Sequence, residues 1–144
     1  YVLDDQSLYG HGVAQVFNDS LLELGAEVLG FEGYDPKAPD YQALMTKIAD
    51  LAPGLVYVGA TVENNPSKVL LDMRSLMPPD QTIFLGPDGL FAQAFIDGAG
   101  DASNGAFLTF AGLPPAELQG PGADYNTRRS IRSARRTAGR FWTP

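Results

Sequence analysis

The sequence contains no cysteine and a single histidine, His11. The missing cysteines exclude disulfides, thiolate nucleophiles and cysteine-ligated zinc. A histidine-based metal cluster or a Ser-His-Asp triad would have to use His11, which lies in a turn before a predicted helix, where an exposed surface histidine is the simpler interpretation. The chain therefore lacks the set of nucleophile, base and metal ligands that an enzyme needs, and we expect neither catalysis nor a cofactor.

Long apolar runs and basic residues are also scarce. No run approaches the roughly 18 apolar residues of a membrane-spanning helix, and no secretory signal pattern is present in these 144 residues. Before position 128, four basic residues oppose all 17 acidic ones, so this part has a net charge of −13. Because an acidic surface repels polyanions, we expect no binding of nucleic acid or of anionic membranes.

Apolar strands alternate with amphipathic helices along the first 110 residues. Strands are predicted at residues 1–3, 26–31, 55–60, 82–85 and 106–110. The first helix is predicted to begin at an N-cap, Ser7, and to end at Gly25. Its apolar face is predicted to comprise Val13, Val16, Phe17, Leu21 and Leu24. This alternation predicts an α/β three-layer sandwich with a mainly parallel sheet.

The alternation of strands and helices ends after Gly112. The segments Leu113-Pro-Pro115 and Gly120-Pro-Gly122 are typical of a connector, which we assign to residues 113–127. Residues 128–144 contain six arginines and no acidic residue. A basic arm for a polyanion is one interpretation of this Arg-rich tail, and a disordered extension is the one we favour. The folded domain is therefore predicted to comprise residues 1–112.

Polar side chains follow three of the predicted strands. Asp4, Asp5 and Tyr9 follow the first strand, Thr61, Glu63 and Asn64 follow the third, and Asp88 follows the fourth. In open α/β sheets, ligands bind at the carboxyl ends of the strands. Carboxylates accept hydrogen bonds from an ammonium group, and a tyrosine ring covers apolar atoms. These residues therefore predict a site for a cationic or hydrogen-bonding small molecule.

Two other interpretations of the first turn are weaker. Gly10-His-Gly12 has the first two glycines of a dinucleotide-binding fingerprint, but Gln15 occupies the third position. Asp4-Asp5 is similar to the acidic pocket of phospho-acceptor receiver domains. Those domains need an aspartate after the third strand and a lysine after the fifth, where this chain has Gly59-Ala60 and Ala111-Gly112. We therefore expect neither nucleotide binding nor phosphorylation.

Several motifs in order resemble one family, the type I periplasmic binding proteins that bind branched-chain amino acids for ABC importers. The motifs are Asp4-Asp-Gln-x-x-Tyr-Gly-x-Gly12, Leu24-Gly-Ala26, Asp40-Tyr-Gln-Ala-Leu44, Lys47-Ile48, Leu55-Val-Tyr-Val-Gly59 and Phe84-Leu-Gly-Pro-Asp-Gly89. The resemblance covers residues 1 to about 125. It implies a two-lobed clamshell of which this chain is mostly the second lobe, with ligand capture by hinge closure.

The resemblance also implies roles for single residues. Tyr9 would pack on the ligand, and Asp88 would pair with its α-ammonium group. Thr61 stands where the leucine-type binders have an aromatic residue. Asp5, Glu63 and Asn64 are candidate secondary contacts, although we expect the aspartates of the first turn mainly to shape its backbone.

The family implies partners and a location as well. These are an amino acid or analogue as ligand, an ABC permease, and a periplasmic or other extracytoplasmic location. A sensory or regulatory ligand-binding domain is the alternative function. A homodimer through an exposed lobe surface is a further expectation, and the isolated chain is expected to bind ligand weakly or not at all.

Overall fold

The computed structural model describes residues 1–112, 117, 119–121 and 124. Most of the predicted connector and the whole Arg-rich tail therefore lie outside the described residues. Residues Tyr1–Phe110 form one compact unit. Among the helices in this part of the chain, none is long and apolar enough to cross a membrane.

Five parallel strands form the sheet, in the order β2-β1-β3-β4-β5. Their bounds are Val2–Asp4 (β1), Phe31–Gly33 (β2), Leu55–Gly59 (β3), Ile83–Gly86 (β4) and Ala106–Leu108 (β5). Asp4 is in register with Gly33 on one side and with Gly59 on the other, so three strands end at the same level. The predicted parallel α/β sheet is confirmed.

Four helices connect the strands. They are Leu8–Glu23 (α1), Gln42–Ala49 (α2), Pro66–Arg74 (α3) and Gln93–Ala99 (α4). Ser7 caps α1 as predicted, because its side chain accepts a hydrogen bond from the Gly10 amide. Gly25 follows the helix with a φ of 75°, the left-handed conformation that a glycine at this position favours.

The helices cover both faces of the sheet. One face is buried under α2, α3 and α4, with Val56, Val58 and Phe84 of the sheet fully buried there. On the other face, α1 covers β1 and β3 and packs Ala14 against Val2 and Tyr57. Helices on both sides of a parallel sheet make the three-layer arrangement that the alternation of elements predicts.

The prediction for the buried face of α1 is only partly right: Phe17 and Leu21 pack against the sheet, but Val16 and Leu24 do not. The buried positions are Gly10, Ala14 and Asn18, whereas Val16 and Leu24 are 67% and 83% exposed. The helix is turned so that its small residues face the sheet, because only these allow the close approach seen at Gly10. Much of its apolar stripe is therefore left at the surface.

Three element boundaries also differ from the prediction. The second strand was predicted at residues 26–31, but β2 begins at Phe31 because the ladder starts where Phe31 pairs with Val2. The run from Leu90 to Ile96 predicts a short fourth helix, yet residues 88–90 form a 3₁₀ turn and Ala92 is extended, so α4 begins at residue 93. β5 ends at Leu108, two residues early, since its partner β4 ends opposite it at Gly86.

Candidate functional site

Tyr9 and Asp88 meet at the carboxyl edge of the sheet. The Tyr9 hydroxyl donates a hydrogen bond of 2.6 Å to Oδ1 of Asp88. The amide of Gly89 in turn donates to the Tyr9 hydroxyl oxygen at 3.1 Å. Tyr9 lies in the first turn of α1 and Asp88 begins the 3₁₀ turn after β4, so two strand ends separated by 79 residues join here.

Asp88 retains one oxygen that the described residues leave without a hydrogen-bond donor. Its side chain is exposed, and within residues 1–112 only Oδ1 accepts a hydrogen bond. Tyr9 is 38% exposed. Partial burial, followed by the hydrogen bond to the Asp88 carboxylate, raises the pKa of the Tyr9 phenol. The pair therefore presents a carboxylate oxygen to solvent beside a neutral phenol.

An apolar groove of about 660 Å³ opens beside this pair. It runs along α1 over the strands, and its lining includes Tyr9, Val13, Phe17, Tyr57, Pro87 and Asp88. Apolar walls with a few convergent polar groups are typical of small-molecule sites. The groove could cover an apolar group whose cationic end reaches Asp88.

Tyr57 is a residue of this groove that the sequence analysis did not identify. Its ring stacks on Phe17 with centroids 4.0 Å apart. Burial, followed by repulsion from Tyr9 when that phenol is ionised and from the Asp88 carboxylate, raises the pKa of Tyr57 to about 12. Side chains alternate between the two faces along β3, so Tyr57 and Gly59 lie on the same face of the sheet. Because Gly59 contacts α1, this alternation predicts that Tyr57 also lies on the α1 side.

Asp5 is buried, and its four acceptor positions are filled by the chain itself. Oδ1 accepts from the amide and hydroxyl of Ser7 at 3.0 and 2.6 Å. Oδ2 accepts from the Thr61 amide at 3.1 Å and the Asn64 side chain at 2.7 Å. A carboxylate has about four lone-pair positions, so none remains for a ligand. We therefore assign Asp5 and the Asn64 amide to holding the two turns together.

The ionisation of Asp5 agrees with this assignment. Burial alone would raise the pKa of the Asp5 carboxyl, but the hydrogen bonds from Ser7, Asn64 and Thr61 outweigh it and lower that pKa. Thr61 itself is half-buried, and its amide is committed to Asp5. Glu63 is exposed on the 3₁₀ turn that follows. Neither side chain hydrogen-bonds to the Tyr9–Asp88 pair.

Asp4 also shapes the first turn. Its Oδ1 accepts from the Gln6 amide at 2.7 Å, and Oδ2 lies 3.0 Å from Nδ1 of His11. Gln6 has a φ of 60°, an uncommon conformation for a residue with a side chain. His11 is exposed, with its ring stacked on Phe31. Among the described residues, no group of three His, Cys, Asp or Glu side chains could hold a metal ion.

Glycines allow the backbone contacts that position Tyr9. A β-carbon on Gly10 would overlap the Asp5 carboxylate and lie 2.5 Å from the Gly59 carbonyl oxygen. One on Gly89 would lie 2.6 Å from the Ala60 carbonyl oxygen and 2.7 Å from the Tyr9 ring. Real β-carbons do not approach other atoms so closely, so only glycine fits at these two positions. Gly10 therefore lets α1 contact the β3 backbone, and Gly89 lets the Tyr9 ring contact the turn after β4.

Known proteins with similar sequences are named for the amino acids that they bind. A leucine-, isoleucine-, valine-, threonine- and alanine-binding protein of Pseudomonas aeruginosa is 32% identical over 120 residues, which are 83% of this chain and 31% of that protein. A Leu/Ile/Val-binding protein homologue of Brucella abortus is 29% identical over 113 residues, 78% of this chain and 30% of the homologue. Over most of its own length, this chain is similar to branched-chain amino-acid-binding proteins. It spans about a third of the length of the curated relatives it matches.

Solved structures of other binding proteins have the same fold as this chain. A leucine-binding protein of Thermotoga maritima superposes with a TM-score of 0.79 at 19% identity, over 92% of this chain and 37% of that one. A branched-chain amino-acid transporter substrate-binding protein of Streptococcus pneumoniae, solved with isoleucine, gives 0.72 at 19% identity, over 89% and 36%. These likenesses confirm a periplasmic binding protein-like fold. No protein-family model matches the chain.

Proposed function

We propose that this chain is the second lobe of a substrate-binding protein that captures amino acids for an ABC importer. Residues 1–112 form the lobe in this proposal, and residues 113–127 connect it to the hinge and the other lobe. The observation that carries the proposal is the Tyr9–Asp88 pair at the carboxyl edge of the sheet, with one carboxylate oxygen facing solvent. The names of the relatives, which bind leucine, isoleucine and valine, supply the class of ligand.

The chemistry of the pair suits an α-ammonium group. An ammonium donates a charge-assisted hydrogen bond to a single carboxylate oxygen, which Oδ2 of Asp88 can accept. The adjoining groove, with Val13, Phe17 and Tyr57 in its lining, offers apolar cover for an aliphatic side chain. No group here is arranged as a nucleophile with a base, so the proposed role is capture and release, without bond making or breaking.

Capture requires a second surface in this proposal. The exposed edge around Asp88 contacts only one side of a bound amino acid, and a facing lobe would supply donors for its carboxylate. Closure of two lobes around the ligand is a hinge motion that the ligand stabilises by contacting both. We place the complete protein in the periplasm or another extracytoplasmic compartment, where a permease would receive the ligand from the closed form.

A ligand panel on the full-length gene product that carries this chain tests the proposal. Leucine, isoleucine and valine should raise its melting temperature, because a ligand that binds only the folded state stabilises it by mass action. Asp88→Ala should abolish the rise. Asp80→Ala is the matched control, since Asp80 is an exposed acid that precedes β4, away from the pair. A ligand-induced rise that survives Asp88→Ala would refute the site assignment.

The isolated chain offers a second test of the two-lobe mechanism. We expect the 144 residues alone to bind these amino acids weakly or not at all, because one surface supplies only part of the contacts. Isothermal titration calorimetry of the chain measures this directly. Micromolar or tighter binding would contradict the need for a second lobe.

We further propose that a second copy of the chain covers its exposed apolar surface. α1 leaves the β4–β5 half of its face open, where Ile83 and Phe107 are 41% and 59% exposed beside half-buried Leu85. Clustered large apolar side chains at a surface are typical of interaction sites. Sedimentation of the chain should show a dimer that Phe107→Asp dissociates, and sedimentation as monomer alone would exclude this contact.

A further inference from the structure

We propose that Tyr9 acts through its hydroxyl as a positioning residue, which fixes Asp88 so that a single oxygen, Oδ2, faces the ligand. This inference rests on the proposed function and refines it. It gives the hydroxyl a role separate from the packing of the tyrosine ring on a ligand. It also predicts which kind of cationic group the site prefers.

The hydrogen-bond geometry supports a fixed carboxylate. The 2.6 Å bond from the Tyr9 hydroxyl to Oδ1 of Asp88 has the length of a strong O–H to carboxylate bond. The Gly89 amide donates to the same hydroxyl, and a hydroxyl that accepts a hydrogen bond becomes a better donor. An exposed aspartate would otherwise sample several rotamers, which a ligand would have to restrict at an entropic cost.

Tyr9 is itself held by rigid parts of the fold. Its neighbour Gly10 lies against the Gly59 backbone, so the start of α1 is fixed on β3. Its ring lies so close to Gly89 that no side chain fits between them. A positioning group is effective when packing limits its own freedom, and these contacts provide that limit.

One occupied oxygen restricts the cation that Asp88 can bind. A guanidinium group pairs best with a carboxylate through two parallel hydrogen bonds, which need both oxygens. An ammonium group needs only one oxygen. With Oδ1 committed to Tyr9, the site therefore favours an ammonium ligand over a guanidinium ligand.

The contact can be tested in the 144-residue chain without any ligand. Nuclear magnetic resonance of ¹³C-labelled tyrosine, with Tyr9→Phe for assignment, reports the ionisation of Tyr9. Asp88→Asn should lower the apparent pKa of Tyr9, because the Asp88 carboxylate contributes to raising it. Asp80→Asn is the matched control and should leave the Tyr9 pKa unchanged, because Asp80 is an exposed acid that does not contribute to it. An unchanged Tyr9 titration in Asp88→Asn would overturn the positioning contact whatever the function of the site.

Ligand affinities in the full-length gene product test the consequence. Tyr9→Phe should weaken leucine binding by about tenfold, the worth of one good hydrogen bond to a charged group. It should leave binding of 4-methylpentanoate, which lacks the ammonium group, unchanged. Equal losses for both compounds, or no loss for leucine, would overturn the positioning role. Leucine binding that survives Asp88→Ala would instead refute the proposed function. The titration of Tyr9 involves no ligand, so its result tests the Tyr9–Asp88 contact independently of that function.

Discussion

Gly10 and Gly12 lie two residues apart in the same helix, and we predict that alanine has opposite effects at the two positions. A β-carbon on Gly10 would overlap the Asp5 carboxylate and lie 2.5 Å from the Gly59 carbonyl oxygen. A β-carbon on Gly12 would have no atom of another part of the chain within 4 Å. Gly10→Ala should therefore destabilise the fold, and Gly12→Ala should stabilise it.

The magnitudes follow from these contacts. In a helix, replacing glycine by alanine gains up to about 1 kcal/mol of stability, which is the whole effect expected at Gly12. At Gly10 this gain is outweighed by overpacking, typically about 1–3 kcal/mol. Displacement of Asp5 adds about 1–3 kcal/mol for each buried donor that it leaves unpaired. We expect a net loss of about 2–4 kcal/mol for Gly10→Ala.

Urea unfolding of the chain, followed by far-ultraviolet circular dichroism, measures both effects. With a slope of about 1–3 kcal/mol per molar urea, Gly10→Ala should lower the midpoint by about 1–2 M. Gly12→Ala should raise it by a few tenths of a molar. If both variants shift the midpoint in the same direction by similar amounts, α1 does not rest on β3 through Gly10, and the geometry proposed for Tyr9 loses its basis.

Three further predictions concern the groove and the buried ionisable groups. Phe17→Ala should lower the free energy of unfolding, measured by thermal unfolding, by about 2–3 kcal/mol, because it removes the ring stacked on Tyr57. Val16→Ala, at a position 67% exposed, should lower it by less than about 0.5 kcal/mol. Because the Asp5 pKa is lowered, its contribution to stability is present above the ordinary value of 3.8 and is lost as the pH falls below it. Asp5→Asn should therefore flatten acid unfolding below about pH 4 in circular dichroism, and an unchanged acid limb would contradict this. The pKa of Tyr57 is raised from 10.0 to about 12, so its contribution to stability is full below pH 10 and is lost as the pH rises through 12. Tyr57→Phe should therefore make the loss of stability with rising pH shallower. An equally steep loss in the variant would contradict the raised pKa.

The sheet could be predicted because its strands carry a strong local pattern. The run from Leu55 to Gly59 is continuously apolar, as a central parallel strand requires, and it forms β3 between β1 and β4. The orientation of α1 could not be predicted in the same way. Hydrophobic periodicity favours the stripe that contains Val16, whereas the helix buries Gly10 and Ala14 because their small size permits contact between backbones.

The sequence could predict which strand ends carry the candidate site, but not the hydrogen bonds between its residues. The rule that ligands bind at the carboxyl edge of a parallel sheet places Tyr9 and Asp88 at one edge. Their hydrogen bond joins turns that are 79 residues apart, and no local pattern encodes such a contact. The saturation of Asp5 is equally hidden, because it requires the Thr61 amide and the Asn64 side chain to converge on one oxygen.

The glycines of the first turn and of the turn after β4 therefore act on the site together. Gly10 brings α1 onto the β3 backbone, which fixes where the ring of Tyr9 lies, and Gly89 leaves room for that ring against its turn. The orientation of Asp88 then depends on two close contacts, that of Gly10 with the Gly59 backbone and that of Gly89 with the Tyr9 ring. It does so although the Asp88 side chain itself is exposed. A side chain added at Gly89 would displace Tyr9 and release Asp88, so we expect ligand affinity to depend on a residue that supplies no ligand-binding group of its own. If the proposed site is correct, the motif that contains Tyr9 and its glycines sets which oxygen of Asp88 faces the ligand.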